Sequence, residues 1–227
     1  MTEYRVPIHA QILRPFLRPL FRMLFRILGR VRVIGAQHVP RKQAYVVAIN
    51  HISIFDPPLA VAFWPETAEV IGAADVFQKK GQGPLLKMYG VIPVHRGEYD
   101  RALMDKVLSV LKAGRPLIMA PEGGRSHEPA MRRAMPGIGY IIEHSGVPVI
   151  PVGLVGTTDD FWQRSRRGER PQLEMRIGRP IYFPPMTVKG AQRRAMRQKY
   201  ADIVMSHIAG LLPPEYRGVY ADSAIFA

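Results

Sequence analysis

The chain reads as an α/β domain with a mixed, largely parallel sheet covered by helices on both faces, preceded by an N-terminal amphipathic helical segment. Three observations predict this. Short apolar runs at 45–49 (YVVAI), 116–120 (PLIMA) and 147–152 (VPVIPV) have the length and composition of buried strands. Stretches with helical spacing separate them: Leu103, Val107 and Leu111 mark a helix over 99–113 that Gly114 ends, and 137–144 forms another. Alternation of strand and helix builds a sheet with helices on both sides. With no internal repeat or low-complexity linker, the simplest division is a segment over 1–28 and one domain over 29–227.

Residues 10–29, AQILRPFLRPLFRMLFRILG, place Arg14, Arg18, Arg22 and Arg26 at every fourth position, along one slowly drifting helical face. Bulky apolar residues, Phe21 and Phe25 among them, fill the positions between. Pro15 and Pro19 weaken the first turns, so the cleaner helix begins near Pro19. An apolar face beside an arginine stripe suits the boundary between lipid headgroups and acyl chains, where each basic residue adds about 1 kcal/mol on an anionic surface. Arg14, Arg18, Phe21, Arg22, Phe25 and Arg26 are therefore assigned to membrane contact. The alternative is a helix docked on its own domain, its arginines simply solvated.

A strand and turn occupy 29–42, a helix 57–63, and a short strand 68–72; 77–89 is a loop followed by a short helix. Residues 90–96, GVIPVHR, form a strand that Pro93 confines to an edge or an end. The strand at 116–120 runs directly into PEGGRS, residues 121–126. Arg164, Arg166, Arg167 and Arg170 read as a basic surface loop, 173–177 as a half-exposed strand, and 188–211 as the last helix. The tail from Pro213 has no usable pattern.

A formal net charge of +14 points to polyanionic partners: nucleic acid, an anionic membrane or phosphorylated ligands. The absence of cysteine excludes a disulfide scaffold and thiolate metal sites, and fits a reducing compartment. No run of eighteen uncharged apolar residues and no signal-peptide order occur. The expected location is therefore peripheral or monotopic on the cytoplasmic face of a membrane, without a transmembrane helix.

The chemistry centres on NHISIFD, residues 50–56, between the strand at 45–49 and a helix announced by Asp56-Pro57-Pro58. That junction is where open α/β sheets bind ligands. Asp56 reads as the helix N-cap, and the turn before it lets the carboxylate fold back toward His51. A His held by an Asp is a general base, and an ordinary imidazole accepts protons at neutral pH. With no GxSxG elbow and no cysteine, the hydroxyl that His51 activates belongs to the substrate. The competing local reading is a capping Asp beside a histidine without a role. A metal site is not expected, because one loop His with one Asp offers too few ligands.

In order, NHISIFD, GVIPVHR, PEGGRS and VPVIPV closely resemble the four blocks of the glycerolipid acyltransferases, the PlsC-like 1-acyl-glycerol-3-phosphate acyltransferase family, over residues 29–180. The resemblance implies that His51 deprotonates a glycerol hydroxyl, which attacks an acyl thioester without a covalent acyl-enzyme, and that Asp56 orients His51. It places Arg96 on the acceptor phosphate, and Glu122, Gly123, Gly124 and Arg125 at the phosphorylated acceptor, with backbone N–H groups near the two glycines as donors to the oxyanion. The implied partners are acyl-CoA or acyl-carrier protein as co-substrate, a lysophospholipid, and an anionic phospholipid surface; no cofactor and no specific nucleic acid are implied. Ala120 stands where the family usually has an aromatic residue, Gly124 where threonine is commoner, and the lysine expected before the second block is missing near Asp75. These departures leave the acceptor open: glycerol 3-phosphate or another lysolipid competes with 1-acyl-glycerol-3-phosphate. Two other classes are a non-catalytic basic membrane- or nucleic-acid-binding protein, and a thioesterase in which His51 activates water.

Overall fold

The computed structural model describes residues 3–95, 100–126 and 128–225. Strands β1 (Arg30–Ile34), β2 (Val46–Ile49), β3 (Glu69–Ala73), β4 (Ile92–Val94), β5 (Leu117–Met119), β6 (Val149–Val155) and β7 (Gln172–Ile177) form one sheet in the order β1-β7-β6-β2-β5-β3-β4. Every neighbouring pair is parallel except β6 with β7. The mixed, largely parallel sheet is thus the one expected. Pro93 lies in β4, which pairs only with β3 at the sheet's end, where a missing N–H costs no ladder bond.

The central strand explains the two-sided cover. In and beside β2, Val46 and Ala48 enter one core while Tyr45, Val47 and Ile49 enter the other, as the period of two demands. Helices α1 (Ile8–Leu28), α2 (Asp56–Phe63) and α3 (Gln82–Tyr89) close the second core, joined by the short α6 (Phe161–Arg166). Helices α4 (Arg101–Lys112), α5 (Gly137–Ser145) and α7 (Gly190–Leu211) close the first. Helix α4 starts at an Asp100 cap that accepts from the Leu103 N–H at 2.9 Å.

Two sequence expectations are corrected here. The stretch around Arg164 and Arg166 is helix α6, seated by fully buried Phe161, whose ring lies 5.1 Å from Phe55 and 6.2 Å from Phe25. The tail after Pro213 is ordered by Tyr216 and Tyr220, both buried. Tyr220 donates to Asp202 at 2.7 Å and accepts from the Ala134 N–H at 2.9 Å.

The second correction concerns α1, which runs unbroken through Pro15 and Pro19 and turns Arg14, Arg18 and Arg22 inward. Arg14, 2% exposed, forks onto Glu69 with bonds of 2.8 and 2.6 Å and reaches the Tyr89 carbonyl at 2.8 Å. Arg18 and Arg22 donate to the carbonyls of Val61, Ala62 and Trp64, the unsatisfied C-terminal end of α2. Cations there also oppose the negative end of the helix dipole. Arg26 is exposed, its guanidinium 5.7 Å from the Phe63 ring, and Phe25 is buried at 4% exposure. Arg14, Arg18, Arg22 and Phe25 therefore do not form the membrane-contact face assigned to them, and Phe21 is half-buried against the second core. Tertiary bonds from these arginines offset the two amide donors that the prolines lack. The outward face carries Ile8, Ile12, Phe16, Leu20, Met23, Leu24 and Ile27 instead. No helix among the described residues is long and apolar enough to cross a membrane.

Candidate active site

Strands β6, β2 and β5 lie side by side and parallel, so their carboxyl ends open on one rim of the sheet. Ligands of open α/β sheets bind beyond those ends. NHISIFD leaves β2, PEGGRS leaves β5, and Gly156-Thr157 leaves β6.

Asn50, fully buried, extends the β2–β6 ladder with its side chain. Its amide nitrogen donates to the Leu154 carbonyl at 3.0 Å, and its oxygen accepts from the Leu154 N–H at 2.7 Å. The next residue, His51, is fixed through its backbone on the other side: its N–H donates to Glu122 Oε1 at 2.9 Å, and its carbonyl accepts from the Ser126 N–H at 2.8 Å. The imidazole is thus carried by backbone locked to both flanking strands.

His51 Nδ1 lies 3.1 Å from Asp56 Oδ2. The same oxygen accepts from the Ile52 and Ser53 N–H groups, each at 2.7 Å, and Oδ1 accepts from the Thr157 hydroxyl. Asp56 is the first residue of α2 and its carboxylate turns back over the preceding loop, so it is not the N-cap expected from sequence. Four donors replace water around a carboxylate that is 0% exposed, which keeps a buried charge tolerable. The His51 side chain is 17% exposed, and among the described residues Nε2 has no protein partner. Fixing Nδ1 as donor leaves Nε2 as the acceptor without a protein partner among the described residues, the arrangement a general base requires.

The PEGGRS loop divides into structural and exposed parts. Glu122 is 3% exposed, and its second oxygen accepts from the Arg132 N–H at 2.8 Å. Burial pushes this carboxyl up to about 7 against the opposing pull of those two backbone N–H bonds. Both oxygens of this buried carboxyl thus accept backbone N–H groups, one of them that of His51, so in this geometry Glu122 braces the loop that carries His51. Gly123 has φ +69, and a Cβ there would meet Met135 Cγ at 2.9 Å. Its N–H closes a turn onto the Ala120 carbonyl at 3.2 Å, so it is not available to an acceptor or an oxyanion as expected. Gly124 is half-buried beside it. The Arg125 side chain is about a third exposed and pairs with Asp159 at 3.5 Å. Arg96 lies outside the described residues. Among those described, no group of three or more His, Asp or Glu side chains could hold a metal ion.

The family model described as Acyltransferase matches residues 30–155, more than half of the 227-residue chain. The chain belongs to the acyltransferase family. The 1-acyl-sn-glycerol-3-phosphate acyltransferase alpha of Homo sapiens is 26% identical over 164 residues, spanning 71% of this chain and 56% of that protein. The 1-acyl-sn-glycerol-3-phosphate acyltransferase of Bacillus subtilis (strain 168) is 23% identical over 184 residues, spanning 77% and 88% respectively. The crystal structure of PlsC, the 1-acyl-sn-glycerophosphate acyltransferase of Thermotoga maritima, superposes with a TM-score of 0.61 at 21% identity, covering 86% of this chain and 79% of that one. That likeness establishes the mixed α/β fold. The chain spans little more than half the length of the human relative.

The site also holds residues that sequence reading did not single out. Thr157 lies beyond the fourth block, and Asn50 carries no titratable group, so neither had a chemical signal. The length of the Asn50-to-Asp56 string was the available clue for Asn50, since its first residue leaves a strand and must be satisfied.

Proposed function

We propose that the protein is an O-acyltransferase that moves a fatty acyl group from an acyl thioester to the free hydroxyl of 1-acyl-glycerol-3-phosphate, forming phosphatidic acid. The observation that carries this reading is the buried Asp56 carboxylate holding Nδ1 of a partly exposed His51 whose Nε2 has no protein partner among the described residues. Nε2 takes the proton of the acceptor hydroxyl as its oxygen attacks the thioester carbonyl, and Asp56 stabilises the imidazolium formed. The tetrahedral intermediate then expels the thiolate, which takes the proton back from His51, so no group on the enzyme is consumed. The donor is acyl-CoA or acyl-carrier protein, serving as co-substrate, and this reading requires no resident cofactor or nucleic acid. Arg125, with Arg96, holds the acceptor phosphate, and forked donors suit that group.

The membrane surface is a partner in this reading, but through the face of α1 opposite its arginines. Ile8 (77% exposed), Phe16 (70%) and Ile27 (60%) represent a row too bulky and continuous for ordinary surface. Exposed Arg5, Arg26, Arg30 and Arg32 lie on or near the same segment and complement anionic headgroups. α1 packs on α2, whose first residue is Asp56, so the lipid-facing helix and the catalytic pair are one layer apart. The protein accordingly works as a peripheral or monotopic enzyme on the cytoplasmic face, where its lipid acceptor resides.

The test is a mass-spectrometric product survey with purified protein and vesicles. Acyl-CoA and acyl-carrier protein are each offered with 1-acyl-glycerol-3-phosphate, glycerol 3-phosphate and other lysophospholipids. Phosphatidic acid formed from the first acceptor supports the proposal. Product from another acceptor alone reassigns the substrate, and acyl release without any acceptor converts the reading to thioester hydrolysis.

A further inference from the structure

The His51–Asp56 pair has a third member that none of the four sequence blocks contains. Thr157 is 0% exposed and donates its hydroxyl proton to Asp56 Oδ1, the oxygen that does not face His51. Rotation of a carboxylate about its Cβ–Cγ bond is broad and poorly restrained on its own. With Oδ2 held by Nδ1 and two backbone N–H groups, a donor on Oδ1 pins the plane of the group from its other side.

The backbone delivers Thr157 to that spot by three constraints. Asn50 clamps Leu154 through its N–H and carbonyl, just before β6 ends. Gly156 then turns with φ +89, and a Cβ on it would fall 2.0 Å from the Gln172 carbonyl, so only glycine fits. The Gly156 N–H donates to the buried Tyr216 hydroxyl at 3.1 Å. A turn fixed on three sides and ending in a buried hydroxyl aimed at the Asp56 carboxylate is costly local structure for a residue that only fills space.

We infer that Thr157 is a positioning residue for acyl transfer, holding the Asp56 carboxylate in the orientation that keeps His51 in its Nδ1-protonated tautomer. The inference deepens the acyl-transfer reading and rests on it for its kinetic consequences. Thr157→Val keeps the branched shape and removes the donor. It lowers kcat roughly 10- to 100-fold, the scale on which outer hydrogen-bond partners of an oriented histidine act, with KM for donor and acceptor within about twofold of wild type. Thr157→Ser, which restores the hydroxyl, returns kcat to within about threefold.

The experiment measures steady-state kinetics of the three proteins, with thermal unfolding alongside and ¹⁵N-edited NMR of the imidazole nitrogens assigned by difference against His51→Gln. The expected spectrum shows one tautomer for His51 in wild type and Thr157→Ser, and a mixture in Thr157→Val. Should the valine variant not fold, Thr157→Cys carries the same expectation, because a thiol is only a weak donor. Wild-type kcat in the valine or cysteine variant overturns the inference. So does a serine variant as slow as the valine one, since the lost methyl contacts then explain the effect. If wild-type protein transfers no acyl group, the broader reading falls and the tautomer spectra alone decide the role of Thr157.

Discussion

Replacing Arg14 with alanine tests how α1 is fastened to the domain. The substitution deletes two bonds to Glu69, one to the Tyr89 carbonyl, and a guanidinium stacked 4.6 Å from the Tyr89 ring. Glu69, fully buried, keeps the Arg115 Nε at 2.8 Å and the Tyr4 hydroxyl at 2.7 Å. Removing one partner of a buried ion pair costs about 3–5 kcal/mol. For a chain of this size each kcal/mol lowers Tm by about 2–4 °C, so a fall of roughly 6–20 °C is expected in a calorimetric scan. The pH dependence carries a second signature. Burial raises the Glu69 carboxyl, but hydrogen bonding and charge from Arg14 more than reverse this and hold it below the usual carboxylate range. A depressed carboxylate stabilises the fold above its unfolded value and loses that contribution as pH falls through the folded one. The gap between wild type and Arg14→Ala therefore narrows as pH falls below the unfolded carboxylate value of about 4.3. Replacing the pair together, Arg14→Met with Glu69→Leu, recovers much of the loss, because Arg115 is about a third exposed and can turn to water. A single variant that melts within about 2 °C of wild type at neutral pH would refute the anchoring role.

Further outcomes follow from the site and the helix. His51→Ala abolishes transfer while Tm stays near wild type, and Asp56→Asn slows kcat by roughly 10⁴-fold in single-turnover assays; a His51 variant with wild-type rates would contradict the mechanism. Glu122, raised to about 7 by burial, holds in the native state a proton that the unfolded chain releases near ~4.3. Its contribution is therefore complete below that lower value and lost as pH rises toward 7, by on the order of 3 kcal/mol, so urea midpoints decline across this window. Glu122→Gln flattens that decline and, by leaving one of two N–H donors facing an amide, also lowers kcat; an unchanged pH slope argues against the assignment. Phe16→Asp with Leu20→Asp weakens co-sedimentation with anionic vesicles by roughly 100-fold or more at unchanged Tm, since each lost apolar side chain removes about 1.5–3 kcal/mol of burial. Removing 1–28 altogether is a different perturbation: Leu17 and Phe25 are core residues and Glu69 would lose Arg14, so the truncated chain is expected to be destabilised.

Much of the architecture was legible because strand burial and helix spacing are local signals. Strands at 45–49 and 147–152 bury both faces, so their apolar runs were unambiguous. The catalytic pair was legible because its residues are five positions apart and their types are chemically specific. Helix α6 was hidden because four arginines outweighed one anchoring Phe161 in composition. The direction of α1 was misread for a deeper reason. Amphipathicity defines two faces without saying which points inward, and the deciding partners, Glu69 and the α2 carbonyls, lie some forty to fifty-five residues away. Thr157 was invisible for the same reason, being 101 positions from the carboxylate it serves.

The PEGGRS loop joins two very different mechanical regimes. Glu122 and Ser126 grip the backbone of the base from a buried position, whereas the Arg125 guanidinium between them pairs with the exposed Asp159 at 3.5 Å. In the acyl-transfer proposal, a stiffly held base and a more compliant anion grip thus share five consecutive residues. On that proposal, changes in headgroup preference can accumulate at Arg125 and its surroundings, by substitution or by salt, without disturbing the proton transfer common to every acceptor.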